Sequence, residues 1–329
     1  MVQRRHHTIP RFYLSRFAND EGRLLRVPLE EPERANLVSI SDASVVKNFY
    51  LVQEEDGSTS DRIEKLISRI ESEGAKGFTD LFDRNEWPIS PGTRYRVSAW
   101  IALQHLRGPA QRKMLNELYD MTAKMEIVVQ GRDGMRRALE HNSPIAVTDE
   151  EVDEEFEALS RTGEYQFVVH PNEHVRFILQ ELKGITQTML AREWRIIRFE
   201  RRALLLSDHP VALIPSPTHP AGMGVGVLNA QGVVVPVSRR TGLYLDWPSQ
   251  GEEKLKIEAR DLRIAGTTDY ASWLNRCSLS TAREAVFAHP DDSHLVASGL
   301  PAPRRQELGI PDYESLRRMG ESLSEGFGV

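Results

Sequence analysis

The stretch EWRIIRFERRALLLSDHPV, residues 193–211, decides the fold class of this chain. Before it, apolar residues recur at helical spacing; from it onward they form short runs that Gly, Pro, Asn and Ser separate. These runs are EWRIIRFE at 193–200, RRALLLSD at 201–208, MGVGVLN at 223–229, GVVVPVS at 232–238 and TGLYLDW at 241–247. Closely spaced strands without intervening helices favour antiparallel or mixed pairing over a doubly wound parallel sheet. The sequence therefore predicts a sheet over about 193–247.

Upstream of this sheet, apolar residues recur every three or four positions over about 60–191, which predicts helices. The first helix carries an apolar stripe and should end at Gly74, a residue typical of helix ends. Ser90-Pro91 is typical of an N-cap followed by the first helical residue, and Gly108-Pro109 should end this second helix. Short helices over about 267–288 are expected to close the domain.

These patterns predict an α+β fold, in which a helical middle region packs with a C-terminal antiparallel or mixed sheet. Two extended runs near the N-terminus, 23–29 and 44–51, are rich in β-branched and aromatic residues and are expected to join that sheet. We predict a single domain over 1–299, followed by a tail with one short helix over 300–329.

Composition narrows the class of protein. The chain has 329 residues, of which 40% are hydrophobic, enough to bury a core. Its single cysteine, Cys277, excludes an intramolecular disulfide and a Cys-rich metal site, and its position in an apolar helix predicts a buried, inert thiol. The sequence shows neither an apolar leader nor a run of 18 apolar residues, so we expect a cytoplasmic protein without a membrane span.

Arginine supplies 34 of the 42 basic side chains. This excess indicates either selection for bidentate contacts to phosphate or carboxylate, or compositional drift, and drift is the favoured interpretation. A net charge of −6 argues against a broad nucleic-acid interface. A local patch could still form from Arg132, Arg136 and Arg137, or from Arg201, Arg202, Arg239 and Arg240.

Two polar segments of interest lie in the first quarter of the chain. His6 and His7 precede a proline-bounded aromatic run, where an imidazole could act as a metal ligand or general base, or simply be a surface histidine. Glu64 and Glu71 are seven residues apart on the first predicted helix, which puts both carboxylates on nearly one face, about 10 Å apart along its axis. They could help to hold a divalent cation or be two solvated glutamates.

Two more polar segments follow predicted secondary structure. Gln104 and Arg107 lie at the end of the second helix, and Gln104 falls on its apolar face, where a buried amide must find partners. The sequence SDHP at 207–210 follows the predicted strand 203–206, a place where a rigid sheet presents polar side chains to solvent. The alternative is a turn in which Ser207 and Asp208 hydrogen-bond to neighbouring backbone N–H groups.

These segments also resemble, in the same order, a widespread bacterial family known as domain-of-unknown-function family 4238. The resemblance spans about 4–250 and rests on HHTIPRFYLSRF, NFYL at 48–51, the helix with Glu64 and Glu71, ALQHLR, LLLSDHPV and VVPVSRRTGLYL. Family members typically contain QHYVPxFYLxxF and TSDNPV. The matching positions here are His7, Pro10, Tyr13, Phe17, Ser207, Asp208 and Pro210, whereas His6 and His209 replace the usual Gln and Asn. The resemblance implies no reaction, but it favours His7 and Asp208 over their neighbours.

Two functions are compatible with these residues. The first is a divalent-metal-dependent hydrolase acting on phosphodiesters or nucleotides. Its catalytic residues would be His7, Arg107 and Asp208, its substrate-binding residues Gln104, Arg239 and Arg240, and its metal ligands Glu64, Glu71 and Asp208. Because the chain has one cysteine, oxygen and imidazole would have to hold the cation. The alternative is a non-enzymatic binding or regulatory module, in which the buried polar residues form a structural network.

Overall fold

A computed structural model describes residues 5–47, 49, 52–53, 59–60, 62–143, 145–162, 166–220, 224–247, 261–297, 299–304, 308 and 314–318. Over these residues the fold is α+β, as predicted, with helices concentrated in the middle and strands towards both ends. Within the same residues, no helix combines the length and the apolar character that crossing a bilayer requires.

The helices are α1 (Arg11–Leu14), α2 (Arg62–Phe78), α3 (Pro91–Leu106), α4 (Pro109–Gln130), α5 (Arg132–Asn142), α6 (Asp149–Thr162), α7 (Pro171–Leu190) and α8 (Thr268–Thr281). The strands are β1 (Arg5–His7), β2 (Arg23–Pro28), β3 (Asn36–Ser39), β4 (Val45–Lys47), β5 (Val52–Gln53), β6 (Thr59–Ser60), β7 (Glu193–Arg198), β8 (Leu206–Ser207), β9 (Ala212–Ile214), β10 (Gly232–Ser238), β11 (Thr241–Asp246), β12 (Leu262–Ala265) and β13 (Ala285–Ala288). A π-helical turn, Thr79–Asp83, follows α2, and short 3₁₀ helices span Pro32–Arg34 and Pro290–Leu295.

Two larger sheets form most of the β part of the fold, alongside the two-stranded pairs β1-β4 and β5-β6. A five-stranded sheet has the order β12-β7-β11-β10-β9 and is antiparallel except for the parallel pair β12 and β7. A four-stranded antiparallel sheet has the order β3-β2-β13-β8. The mixed pairing is confirmed, but neither predicted N-terminal run joins the five-stranded sheet. The run 23–29 contains β2, which pairs with β13 in the four-stranded sheet, because β13 follows α8 and returns the chain to β2. The run 44–51 contains β4, which pairs with β1.

The chain divides into two compact units. The first comprises Met1–Ala110 and Val175–Arg304, contains both large sheets, and has a core that includes Trp100 and Trp194. The second comprises Gln111–His174 and Arg305–Val329 and has its own cluster, which includes Ile127, Met135, Val152 and Leu159. The predicted domain over 1–299 stays a prediction, because compactness does not report whether the units fold together.

Helix α2 continues to Phe78, so the prediction that it ends at Gly74 is wrong. Gly74 is buried, and a Cβ atom at this position would lie only 2.8 Å from the Cβ of Trp100 on α3. The missing side chain lets α2 and α3 approach closely, which is a packing role and not a helix cap. The predicted start of α3 is confirmed, because the Ser90 side chain accepts a hydrogen bond from the backbone N–H of Thr93.

One predicted strand is shorter than expected, and another predicted strand is replaced by turns. Of the run 203–208 only Leu206-Ser207 is a strand, because Leu204 N–H donates to the Arg239 carbonyl and Leu205 N–H to the Asn275 side chain. Residues 224–230, the described part of the glycine-rich run, form turns and no strand. Their carbonyls curve around a buried arginine: the Arg192 guanidinium donates to the backbone at 227 and 230.

Candidate functional site

The N-terminal histidines are held in place by strand pairing. β1 pairs with β4, so that His6 lies opposite Val46 and His7 opposite Val45. His6 is buried, and its Nε2 lies 3.8 Å from a carboxylate oxygen of Glu64. The Nδ1 of His7 lies 3.5 Å from the Ser44 hydroxyl. Strand pairing therefore fixes this segment, and each histidine faces a different partner.

Arg107 is the centre of a buried polar network. Its side chain is 0% exposed, and it forms an ion pair with Glu71. Its Nε and Nη2 donate to the Gln104 side-chain oxygen at 3.1 and 2.8 Å. The Gln104 amide nitrogen in turn donates to the Thr8 carbonyl at 2.8 Å. The network ties helices α2 and α3 to the segment after β1, so three predicted site residues are joined, in an arrangement that stabilises packing.

Asp208 is engaged by the backbone that precedes and begins β13. One carboxylate oxygen accepts the Arg283 N–H at 2.9 Å, and the other accepts those of Glu284 and Ala285 at 2.7 and 3.3 Å. Burial raises the pKa of Asp208, and these three N–H donors oppose the rise. The Ser207 hydroxyl donates to the His209 carbonyl and accepts its N–H, as in the predicted alternative of a side-chain turn.

A small cavity of about 110 Å³ lies beside these residues, with Thr8, Ser44, Pro109, Asp208 and Glu284 in its wall. The fold thus brings the neighbourhood of His7 and the carboxylate of Asp208 to one place. Pockets for small-molecule ligands are typically about 300–1,000 Å³, whereas one water needs roughly 30 Å³. The cavity has room for a few water molecules and is too small for a nucleotide.

The predicted metal ligands do not form a shared centre. Each has another partner: Glu64 faces His6, Glu71 pairs with Arg107, and Asp208 accepts three backbone N–H groups. In the part of the chain that the structure describes, no three His, Cys, Asp or Glu side chains are grouped so that they could hold a metal ion. The metal site stays a prediction that these contacts do not support.

The predicted substrate-binding arginines Arg239 and Arg240 lie away from the small cavity. Arg239 makes a bidentate contact with Asp292, at 2.6 and 3.0 Å, and this carboxylate raises the pKa of Arg239. Arg240 donates to the Glu200 carbonyl. Because Asp292 already neutralises the Arg239 charge, Arg239 has a structural pairing role.

The structure also shows a histidine pair that the sequence reading did not single out. His105, inside the ALQHLR motif, lies near His209, and burial together with this neighbour lowers the pKa of His105 to about 4. A Cβ atom at Gly108 would collide with the His209 ring, so the glycine makes room for that imidazole. His105 is therefore neutral at pH 7. The sequence did not indicate this contact, because His105 and His209 belong to motifs that are far apart in the chain.

An arginine groove of about 1,100 Å³ lies along β7, β12 and the start of α8. We use this name for the groove whose basic side chains are Arg198, Arg201, Arg202 and Arg263. In the described part of the chain, none of these four guanidinium groups forms an ion pair with a carboxylate, Glu200 in the groove wall included. Arg201 and Arg202 are exposed.

The other two arginines of this groove are held by backbone carbonyls. Arg198 donates to the Phe82 carbonyl at 2.9 Å, and Arg263 donates to the Asn85 carbonyl at 2.8 Å. The Arg263 guanidinium also lies 4.5 Å from the centre of the Trp87 ring. Burial, and secondarily the charge of Arg198, lower the pKa of Arg263. Neutral partners thus fix the side chains and leave their positive charge uncompensated.

An aromatic groove of about 560 Å³ lies beside the arginine groove, and its wall includes Tyr244, Tyr270 and Trp273. Tyr244 and Trp273 pack edge to face, with ring centres 5.3 Å apart. Burial and the neighbouring Asp246 raise the pKa of Tyr244 to about 12. The aromatic groove lies within the size range typical of ligand sites, and the arginine groove slightly exceeds that range. Sequence reasoning grouped Arg201 and Arg202 with Arg239 and Arg240. The structure instead places Arg201 and Arg202 in one groove with Arg198 and Arg263, which the sequence did not single out.

Comparison with known proteins gives one match. A family model described as "Protein of unknown function (DUF4238)" matches residues 5–292, which include the small cavity and both grooves. Searches of curated proteins and of solved structures returned no match to this chain.

Proposed function

Because the chain belongs to the DUF4238 family of proteins of unknown function, whose description names no activity, we propose a function from the geometry of its grooves. The protein is a binding module for a phosphate-bearing ligand, which the arginine groove holds. The polar network around Arg107 and the backbone contacts of Asp208 are structural. Such a binding module corresponds to the non-enzymatic alternative, with a phosphate-bearing molecule as its ligand.

One observation carries this proposal: four guanidinium groups share a groove without a carboxylate partner among the described residues. Two inward-facing arginines elsewhere have carboxylate partners, since Arg94 pairs with Asp261 and Arg107 with Glu71, whereas backbone carbonyls hold the buried Arg192. A cluster of like charges is unfavourable unless an anion offsets it. Guanidinium groups donate in a planar fork that matches phosphate oxygens, so a phosphate-bearing ligand is the natural counter-charge.

The test is calorimetric titration of the purified protein with inorganic tripolyphosphate. We compare the parent with Arg201→Gln/Arg202→Gln and with a matched control, Arg23→Gln/Arg34→Gln. Both pairs are exposed, and both exchanges remove two positive charges. We expect the groove variant to bind about thirtyfold more weakly, because each of the two lost charge-assisted contacts costs on the order of 1 kcal/mol at an exposed position. The control should bind like the parent.

Two results would overturn the proposal. One is the absence of any tripolyphosphate binding by the parent at low ionic strength, where exposed charges act most strongly. The other is an equal loss of affinity in the two double variants, which would show that only net charge matters.

A metal-dependent hydrolase is the second candidate function. The observation in its favour is that Ser44, close to His7, and Asp208 border the same small cavity. Calorimetric titration with Mn²⁺, Mg²⁺ and Zn²⁺, together with an assay of a chromogenic phosphodiester, tests it. We expect binding and turnover that His7→Ala abolishes; a parent protein that binds none of these cations would remove this candidate.

A further inference from the structure

The aromatic groove presents exposed aromatic rings next to the arginine groove. Tyr270 and Trp273 are three residues apart on α8, which puts them on one face of the helix. Tyr270 is 41% exposed, a large fraction for an aromatic side chain that lines a groove. Trp273 is half-buried and is supported edge-on by Tyr244. The groove therefore offers a braced aromatic surface to a planar ligand.

Two arginines border these rings. The Arg195 guanidinium lies 5.6 Å from the centre of the Tyr244 ring and 3.0 Å from Asp246. Its Nε is buried and makes no hydrogen bond to the described residues. Arg276, on α8, is exposed at the groove wall. Aromatic faces and guanidinium groups thus alternate within one groove, as they do where proteins hold nucleobases and their backbone.

The two grooves meet at the edge of the five-stranded sheet. Ile264 and Thr267 belong to the walls of both, and β12, which carries Ile264, is the edge strand. Neighbouring side chains of a strand point to opposite faces of a sheet. The Arg263 side chain therefore points into the arginine groove and the Ile264 side chain into the aromatic groove, and a ligand that fills both grooves passes around the edge of the sheet at β12.

We propose that the two grooves together bind single-stranded nucleic acid, with bases stacked on Tyr270 and Trp273 and phosphates held by the arginine groove. The inference rests on the proposed function, because the phosphate contacts are the same. A duplex is too stiff to turn around one strand edge, since its persistence length is about 150 base pairs. A single strand has a flexible backbone and exposed base faces, and it matches both surfaces.

The experiment is fluorescence polarisation with a labelled single strand of about 12 nucleotides, the same strand annealed to its complement, and tripolyphosphate as a competitor. The variants are Tyr270→Ala and a matched control, Tyr95→Ala, which removes a tyrosine that is 58% exposed on α3. We expect Tyr270→Ala to weaken single-strand binding about tenfold, the effect of losing one stacked base. Tyr95→Ala should bind like the parent, and neither exchange should change the affinity for tripolyphosphate.

The outcomes separate this inference from the proposed function. If tripolyphosphate binds but the duplex binds as tightly as the single strand, or if Tyr270→Ala and Tyr95→Ala behave alike, the nucleic-acid assignment is wrong and anion binding stands. A free mononucleotide that binds as tightly as the single strand would also overturn it. If neither tripolyphosphate nor the single strand binds the parent, both proposals fall.

Discussion

Gly74 of α2 packs directly against Trp100 of α3, where a Cβ atom would come within 2.9 Å of three atoms of the tryptophan side chain. Trp100 in turn contacts Tyr13 and Phe78, with ring centres 4.6 and 4.7 Å away. These three aromatic residues join α1 to helices α2 and α3. One missing methyl group thus sets how closely these elements approach.

Gly74→Ala should destabilise the protein. Alanine favours a helix over glycine by about 1 kcal/mol, but forcing a methyl group into this contact costs about 1–3 kcal/mol. Gly184→Ala is the matched control, because Gly184 also lies within a helix, α7, and a Cβ there meets nothing within 4 Å. Urea unfolding should show a lower free energy of unfolding for Gly74→Ala and a rise of about 0.5–1 kcal/mol for Gly184→Ala. A Gly74→Ala protein as stable as the parent would contradict the close packing.

Arg107→Met should lower the free energy of unfolding by about 3–5 kcal/mol, because it leaves the Glu71 carboxylate and the Gln104 oxygen without their buried donor. The double variant Arg107→Met/Glu71→Met should recover part of this loss, since it removes the orphaned charge as well. Arg69→Met, an exposed arginine on the same helix as Glu71, should change stability by less than about 0.5 kcal/mol. If Arg107→Met matched this control, the network would not be structural.

Asp208→Asn should cost about 1–3 kcal/mol of stability, because an amide NH₂ replaces an oxygen that accepts backbone N–H groups from the segment leading into β13. The measurement is urea unfolding at pH 7, with Asp20→Asn at an exposed position as control. A variant that unfolds at the same urea concentration as the parent would leave Asp208 free for a catalytic role.

His105 should make the protein less stable in acid. Its pKa of about 4 in the folded state lies below the ordinary value of 6.5, so the unfolded chain takes up a proton first as the pH falls. The stability present above pH 6.5 is therefore lost progressively towards pH 4, by about 3 kcal/mol at most. His105→Asn should show a shallower loss between pH 7 and pH 4 in urea unfolding, and His294→Asn, at an exposed position, serves as control. Equal pH dependence in parent and His105→Asn would contradict burial of this imidazole.

Sequence reasoning succeeded where a single element carries its own signal. Ser90 caps α3 as predicted, because capping depends on groups within one turn. Burial of Cys277 in α8 also followed from its apolar neighbours, and burial raises the pKa of its thiol to about 11. Sequence reasoning failed at Gly74, because a glycine that ends a helix and a glycine that allows close packing look alike until the neighbouring helix is known. It also missed the turns around Arg192, because the carbonyls that bind this guanidinium are distant in the chain.

The sequence by itself determined the α+β class and the approximate extent of the helical middle region, because periodicity and caps are local properties of the chain. Of the residues that line the small cavity, it singled out Asp208. The tertiary structure decided which groups these residues contact. Distant backbone groups supply the partners of Asp208, and the Glu71 side chain supplies that of Arg107. The arginine groove exists because parallel pairing of β12 with β7 places Arg263 beside Ile196 and Ala265 beside Arg198, a register set by contacts more than 60 residues apart in the chain.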